Sequence, residues 1–234
     1  MIAVPNWVPD AEDEAIKAAL DAGIPVMLHN SGGADKAKEV GAINDIGNEE
    51  YPAGLVAGAY FGSHGFKNVN CVNTVPGAQN LEDRCKCVAD GIAKEGGVST
   101  QLPLPASSFG DPTAVAEAIK ATLMKTPTIN GVATISVADA NSAATGIEQA
   151  ALTGKVHLAS FDMDGAGLDR IKAGTHLFAV DQQPWLQGFL AVSMADAYVS
   201  FGTAIATALV LTGPGIVDTA NVDATIAGAA TGFR

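Results

Sequence analysis

The stretch VATISVADANSAATGIEQAALTGKVHLASFDMDGAGLDRIKAGTHLFAVDQQ, residues 132–183, decides the fold. Val132 to Val137, Val156 to Phe161 and Leu177 to Val180 are short continuous apolar runs. Helix-like stretches, Asn141 to Leu152 and Leu168 to Ala173, separate them. Strands that are apolar throughout, not alternating, belong to sheets covered on both faces. Strand and helix in turn give βαβ units and a parallel sheet.

The same rhythm continues outward. Upstream, strands are expected at Ile2 to Val4, Ile24 to Leu28, Ala42 to Ile46, Asn68 to Val72 and Ser99 to Leu104. Helices are expected at 10–22, with Asp10 as N-cap, and at 35–40, 51–62, 78–95 and 111–125, the last with Asp111 as N-cap and Pro112 in its first turn. Pro103 to Pro112 reads as a loop. Downstream, Pro184 to Phe201 is a long helix and Gly215 to Val217 a short strand. The most apolar stretch, Phe189 to Leu211, is interrupted by Asp196, Ser200 and Gly202, so it reads as a buried amphipathic helix and a loop, not a bilayer span.

The 234 residues carry a formal net charge of −12 and are 48% hydrophobic, enough for a sizeable core. The acidic balance argues against nucleic acid, whose phosphates need clustered Lys and Arg. Met1 leads straight into a strand, and no signal-peptide pattern is visible. Cys85 and Cys87 are two apart and lack metal or redox spacing. A Cys71–Cys85 disulfide and three buried thiols are both open readings. G-x-S-x-G, G-x-x-x-x-G-K-[ST] and H-E-x-x-H are absent from the sequence. No enzymatic role, cofactor or metal is expected.

In open parallel sheets, ligands bind at the carboxyl ends of strands. The residues there are Asn6 and Trp7, then His29, Asn30 and Ser31, Asn73 and Thr74, Asp139 and Asn141, Asp162, and finally Asp181, Gln182 and Gln183. Carboxylates and amides bond adjacent hydroxyls, and Trp7 or Trp185 could cover the apolar face of a sugar ring. Singly, such residues also serve as turn and N-cap groups. Arg84 reads alone as a surface ion pair, and His64, His157 and His176 as solvated or capping residues.

Taken in order, Pro5-Asn6, Ala22-Gly23-Ile24-Pro25-Val26, Asn30-Ser31-Gly32 and Gly47-Asn48-Glu49-Glu50-Tyr51 resemble the first lobe of type I periplasmic sugar-binding proteins of ABC transporters, the ribose and galactose-binding group. Cys71-Val72-Asn73, Asp83-Arg84-Cys85, Phe161-Asp162 and Asp181-Gln182-Gln183-Pro184 resemble its later segments. The resemblance implies two Rossmann-like α/β lobes of parallel sheet flanked by helices, joined by three hinge strands. The first lobe would be 1–66 plus 184–211, and the second 67–183 plus 212–234. It implies a monosaccharide-like ligand held between the lobes by Asn30, Ser31, Arg84, Asp139, Asp162 and Gln182, to which the strand-end residues Asn6 and Trp7 are added, with a membrane permease as partner and a periplasmic location that an oxidised Cys71–Cys85 pair would favour. Asn30-Ser31 replaces the Asp-Arg pair common in close relatives, which leaves the sugar open.

Family members open with a strand, helix, strand and helix before the segment matching Ile2. The expectation is a first lobe truncated at its N-terminus, with an open sheet edge able to pair with a second copy. Two rival readings are the sensor core of a LacI-like regulator, which needs a basic helix-turn-helix, and a Rossmann-like enzyme, which needs a glycine-rich phosphate loop.

Overall fold

The computed structural model describes residues 1–234, apart from the side chains of Gln79 and Pro103. The chain forms two compact units. The first comprises Met1–Glu49, Gln182–Gly213 and Thr231–Arg234; the second comprises Glu50–Asp181 and Pro214–Ala230.

The first unit runs β1 (Ile2–Val4), α1 (Pro9–Asp21), β2 (Val26–His29), α2 (Gly33–Val40) and β3 (Asp45–Gly47), and returns later as a long helix and a further strand. The second unit begins with α3 (Glu50–Ser63), β4 (Asn68–Asn73), α4 (Gln79–Lys94), β5 (Val98–Pro103) and a single 3₁₀ turn at Ala106–Ser108. It continues through α5 (Pro112–Lys125), β6 (Gly131–Thr134), α6 (Val137–Gln149), β7 (His157–Phe161), α7 (Gly165–Lys172) and β8 (His176–Asp181). The chain then passes through α8 (Pro184–Phe201) and β9 (Leu209–Leu211) of the first unit, and closes the second with β10 (Gly215–Val217) and α9 (Val222–Ala230).

The first sheet has the order β1-β2-β3-β9 and is parallel throughout. Side chains alternate across a strand. Val26 and Leu28 therefore pack with Ile16, Ala37 and Val40 under α1 and α2, while Met27 and Ile46 meet Ala191 of α8. The second sheet has the order β10-β8-β7-β6-β4-β5, and only β10 runs antiparallel. One of its faces buries Phe61, Val88 and Ile92 of α3 and α4 with Cys71, Ile135, Phe161 and Phe178. The other buries Ile119, Leu123, Ala143 and Ile147 of α5 and α6 with Val72, Val132 and Leu158.

Three expectations about the elements change. Asp10 is not an N-cap: α1 starts at Pro9, after Val8, with no side-chain cap. Proline suits that first position because its missing N–H would have no helical partner. α6 begins at Val137, capped by Ser136, so Asp139 lies in a helical first turn. The helix 51–62, which the sequence reading leaves in the first lobe, clusters as α3 with the second unit. Gly54, Gly58 and Gly62 make the close approach to α4 possible. A Cβ at Gly58 would sit 2.2 Å from the Val88 carbonyl oxygen, and one at Gly54 2.4 Å from Cys87 Cβ.

α8 keeps the expected bounds but is apolar all round. Leu190, Ala191, Met194 and Ala195 pack on the first unit's core, while Phe189, Val192, Val199 and Phe201 are exposed. Among the described residues, no helix is long and apolar enough to cross a membrane.

Cys71 of β4 and Cys85 of α4 are disulfide-bonded, and Cys87 is a buried free thiol. The bridge closes a loop with a sequence separation of 14. Restricting the unfolded chain this way is worth about 3 kcal/mol for a loop of roughly 15 residues.

His176 is buried, contrary to the solvated reading, and its Nε2 lies 3.2 Å from Ser160 Oγ. Burial, helped by the charge of Arg170, pushes its pKa down to about 3. In the unfolded chain a histidine titrates near 6.5. Above that pH neither state binds the proton; below it only the unfolded chain does. Stability should therefore fall by about 1.4 kcal/mol per pH unit as pH drops below about 6.5. Urea unfolding of the wild type and His176→Leu at pH 7, 5.5 and 4.5 checks this, the slope being shallower in the variant.

Candidate functional site

In the first unit the expected residues gather at the carboxyl ends of β1 and β2. Asn6 is buried; its Nδ2 donates to Asp13 at 2.9 Å and its Oδ1 has no partner among the described residues. Asn6 N donates to the Ser31 carbonyl at 3.0 Å, and Ser31 Oγ donates back to the Asn6 carbonyl at 3.1 Å. These reciprocal bonds lock the two turns together. Trp7 is half exposed, and its Nε1 donates to Asn30 Oδ1 at 3.3 Å. Asn30 sits in the left-handed region at φ 67°, which Asn tolerates better than most residues. Its Nδ2 donates to Gln187 Oε1 at 3.2 Å. His29, at the end of β2, has its pKa lowered by burial.

Gln187 was not among the expected contacts, yet it organises this end. Its Nε2 donates to the Gln182 carbonyl at 2.9 Å and to Thr212 Oγ1 at 3.1 Å, and Thr212 Oγ1 donates to the same carbonyl at 2.8 Å. Gln182 is thereby fixed within the first unit. At the end of β3, Asn48 is buried and neither atom of its amide has a hydrogen-bond partner among the described residues. Trp185 is not with these groups: it stacks on Phe189 at 5.2 Å and meets Phe233 edge-on at 4.7 Å.

In the second unit Arg84 is 5% exposed, so it is no surface ion pair. Its Nε donates to Glu50 Oε2 at 2.6 Å and its Nη2 to Glu50 Oε1 at 2.8 Å. Its Nη1 donates to the Ile135 carbonyl at 2.9 Å, and its Cζ lies 4.7 Å from the Phe161 ring centroid. The guanidinium thus sits at the carboxyl ends of β6 and β7. Burial disfavours its charge, but the pair with Glu50 outweighs this and raises its pKa. Glu50 is held above the usual carboxylate range by burial, against the pull of Arg84 and with the charges of Asp162 and Asp83 adding to the rise.

Asp162 follows β7 at φ 63°, with its carbonyl accepting from Ser160 Oγ at 2.8 Å. Asp164, two residues on, caps α7 through Gly167 N and accepts from Asn141 Nδ2 at 2.8 Å, so the two do not act as a pair. Asp139 accepts from Thr74 Oγ1, which lies 3.0 Å from both its oxygens. Burial raises its pKa, opposed by the hydrogen bonds of Ser136 and Thr74. Asn73 Nδ2 is buried without a partner among the described residues.

Each unit therefore presents amides, hydroxyls and carboxylates at strand ends. Glu50 escaped the sequence reading because it stands 34 residues from Arg84 and reads as one of two adjacent acids in a turn.

Residues 1–203 match the periplasmic binding protein domain family. A carbohydrate transporter from Acidothermus cellulolyticus, solved in complex with myo-inositol, is 35% identical with a TM-score of 0.89, covering all of this chain and 79% of its own. A glucose-galactose binding protein from Geobacillus stearothermophilus is 22% identical with a TM-score of 0.79, over 94% of this chain and 76% of its own. An ABC transporter solute-binding protein from Actinobacillus succinogenes with bound D-allose is 24% identical with a TM-score of 0.78, over 92% and 75%. None of the curated proteins compared matches the chain. The fold, with its two units of helix-flanked parallel sheet, agrees with the family match, and the chain belongs to the periplasmic binding protein family, with the type I fold of its sugar-binding members.

Proposed function

We propose that the protein is the solute-binding component of an ABC-type sugar transporter, taking a monosaccharide-like polyol with the strand-end groups of both units. The observation that carries this reading is the set of buried amide atoms at those ends without a hydrogen-bond partner among the described residues: Asn6 Oδ1, both atoms of Asn48, and Asn73 Nδ2. A buried polar atom without a partner costs about 1–3 kcal/mol. The vicinal hydroxyls of a polyol, each both donor and acceptor, are suited to make up such bonds. The likeness to a carbohydrate transporter in complex with myo-inositol supports the same ligand chemistry.

On this reading Asn6, Trp7, Asn30, Ser31, Arg84, Asp139, Asp162 and Gln182 serve the ligand, no chemistry is performed, and the ligand drives closure by binding the closed state more tightly. A membrane permease then receives the loaded protein. The buried disulfide favours an oxidising compartment and so a periplasmic location. A thermal-shift panel tests the function. A ligand bound only by the native state at 100 times its Kd stabilises it by about 2.7 kcal/mol. Myo-inositol or an aldohexose should raise the melting temperature by several degrees; a rise with nucleotides alone would contradict the proposal.

A further inference from the structure

We propose that Glu50 is the specificity-determining residue that restricts the site to uncharged polyhydroxy ligands and excludes anionic ones such as uronates and sugar phosphates. The inference rests on the polyol-binding reading and adds to it a class of ligand the site refuses.

An exposed arginine at a strand end is the standard partner for a carboxylate or phosphate, because its N–H fork matches two oxygens at once. Arg84 has that fork already filled: Nε and Nη2 donate to the two oxygens of Glu50 at 2.6 and 2.8 Å. Both oxygens accept at once from one guanidinium, the fork-to-fork pairing of an arginine with a carboxylate. Nη1 donates to the Ile135 carbonyl, and the plane lies over Phe161. The positive charge is therefore matched inside the protein.

The rest of the local field is negative. Asp162 acts on both members of the pair, and Asp83 acts on Glu50. Asp139, in the first turn of α6, is a further carboxylate of the same unit and is held by Thr74. A ligand carboxylate entering here would meet like charges and an arginine already committed. Like-charge juxtaposition is how sites reject wrong partners. Hydroxyl groups carry no such penalty and can still bond the carboxylates.

Glu50→Gln keeps the size of the side chain and removes the charge. Its amide retains one acceptor and turns a donor toward the guanidinium, so the fork opens and a full positive charge becomes available to a ligand. Glu50→Asp keeps the charge on a shorter stem and should still refuse anions.

The test is isothermal titration of the wild type, Glu50→Gln and Glu50→Asp with myo-inositol, D-allose, D-galactose and D-glucuronate, with circular dichroism confirming the fold of each. The expected result is that the wild type binds a neutral probe and not glucuronate. Glu50→Gln should lose about tenfold or more for the neutral probe and gain measurable glucuronate binding, while Glu50→Asp remains neutral-selective. A wild type that binds glucuronate as well as the neutral probe overturns the inference and leaves the polyol reading standing. So does a folded Glu50→Gln with the wild-type profile. A wild type that binds none of the neutral probes overturns the polyol reading itself, and the inference with it. If Glu50→Gln does not fold, the wild-type and Glu50→Asp titrations decide: glucuronate binding by either overturns the inference, and refusal by both with a neutral probe bound supports it.

Discussion

Arg84→Ala is expected to destabilise the protein by about 3–5 kcal/mol, the range for removing one partner of a buried ion pair. The side chains of Arg84 and Glu50 are only 6% and 15% exposed. Truncating the arginine strands the Glu50 carboxylate among Asp162 and Asp83, leaves the Ile135 carbonyl without its donor, and takes a cation from the face of Phe161. Urea unfolding measures the loss as a fall in the denaturation midpoint. A variant as stable as the wild type would show that the pair does not form in solution. Arg84→Ala therefore cannot serve as a clean ligand-site knockout, because lost binding would be inseparable from lost stability. Asp162→Ala is the better choice: Asp162 follows β7 and is only half-buried, and its backbone bonds to Ser160 and Val180 survive the change.

Phe61→Ala is expected to cost a similar amount, about 3–5 kcal/mol for a buried phenylalanine. Phe61 is fully buried in α3, edge-on to Phe178 at 5.2 Å and to Phe66 at 6.3 Å, and packed in the core formed with β4 and α4. The same measurement tests where α3 belongs. Hydrogen exchange in the variant should rise in β4, β8 and α4 and stay near wild type in β1 and β2. Loss of protection confined to the first sheet would place α3 with the first unit instead.

Much of the fold was legible because apolar runs and caps are local signals. Asp111 accepts from Thr113 N and Ala114 N as its position implies, and α8 spans Pro184–Phe201 as read from sequence. β9 and α9 were not. Leu209–Leu211 reads as the tail of a small-residue stretch until β3 pairs with it, and Val222–Ala230 has no strong cap or charge pattern. The allegiance of α3 was written in Gly54-x-x-x-Gly58-x-x-x-Gly62, a stripe whose meaning depends on which helix approaches it.

The candidate site divides the same way. Asn6, Asn30, Ser31 and Asp162 could be picked out because a strand end is visible in sequence. Gln187 and Glu50 could not, since their importance comes from partners 157 and 34 residues away. The burial of Arg84 is likewise a tertiary fact. Nothing in Asp83-Arg84-Cys85 alone separates a surface ion pair from a guanidinium enclosed by Glu50, Ile135 and Phe161.

The most direct measurement is nuclear magnetic resonance titration of the labelled protein with the polyol that gives the largest thermal shift. The account predicts saturable shifts at the strand carboxyl ends, led by Asn30, Thr74, Arg84, Asp139 and Asp162, with the Asn48 side-chain amide moving among the most. Shifts confined to the opposite ends of the strands, around Ile43, His157 and Thr175, would contradict it.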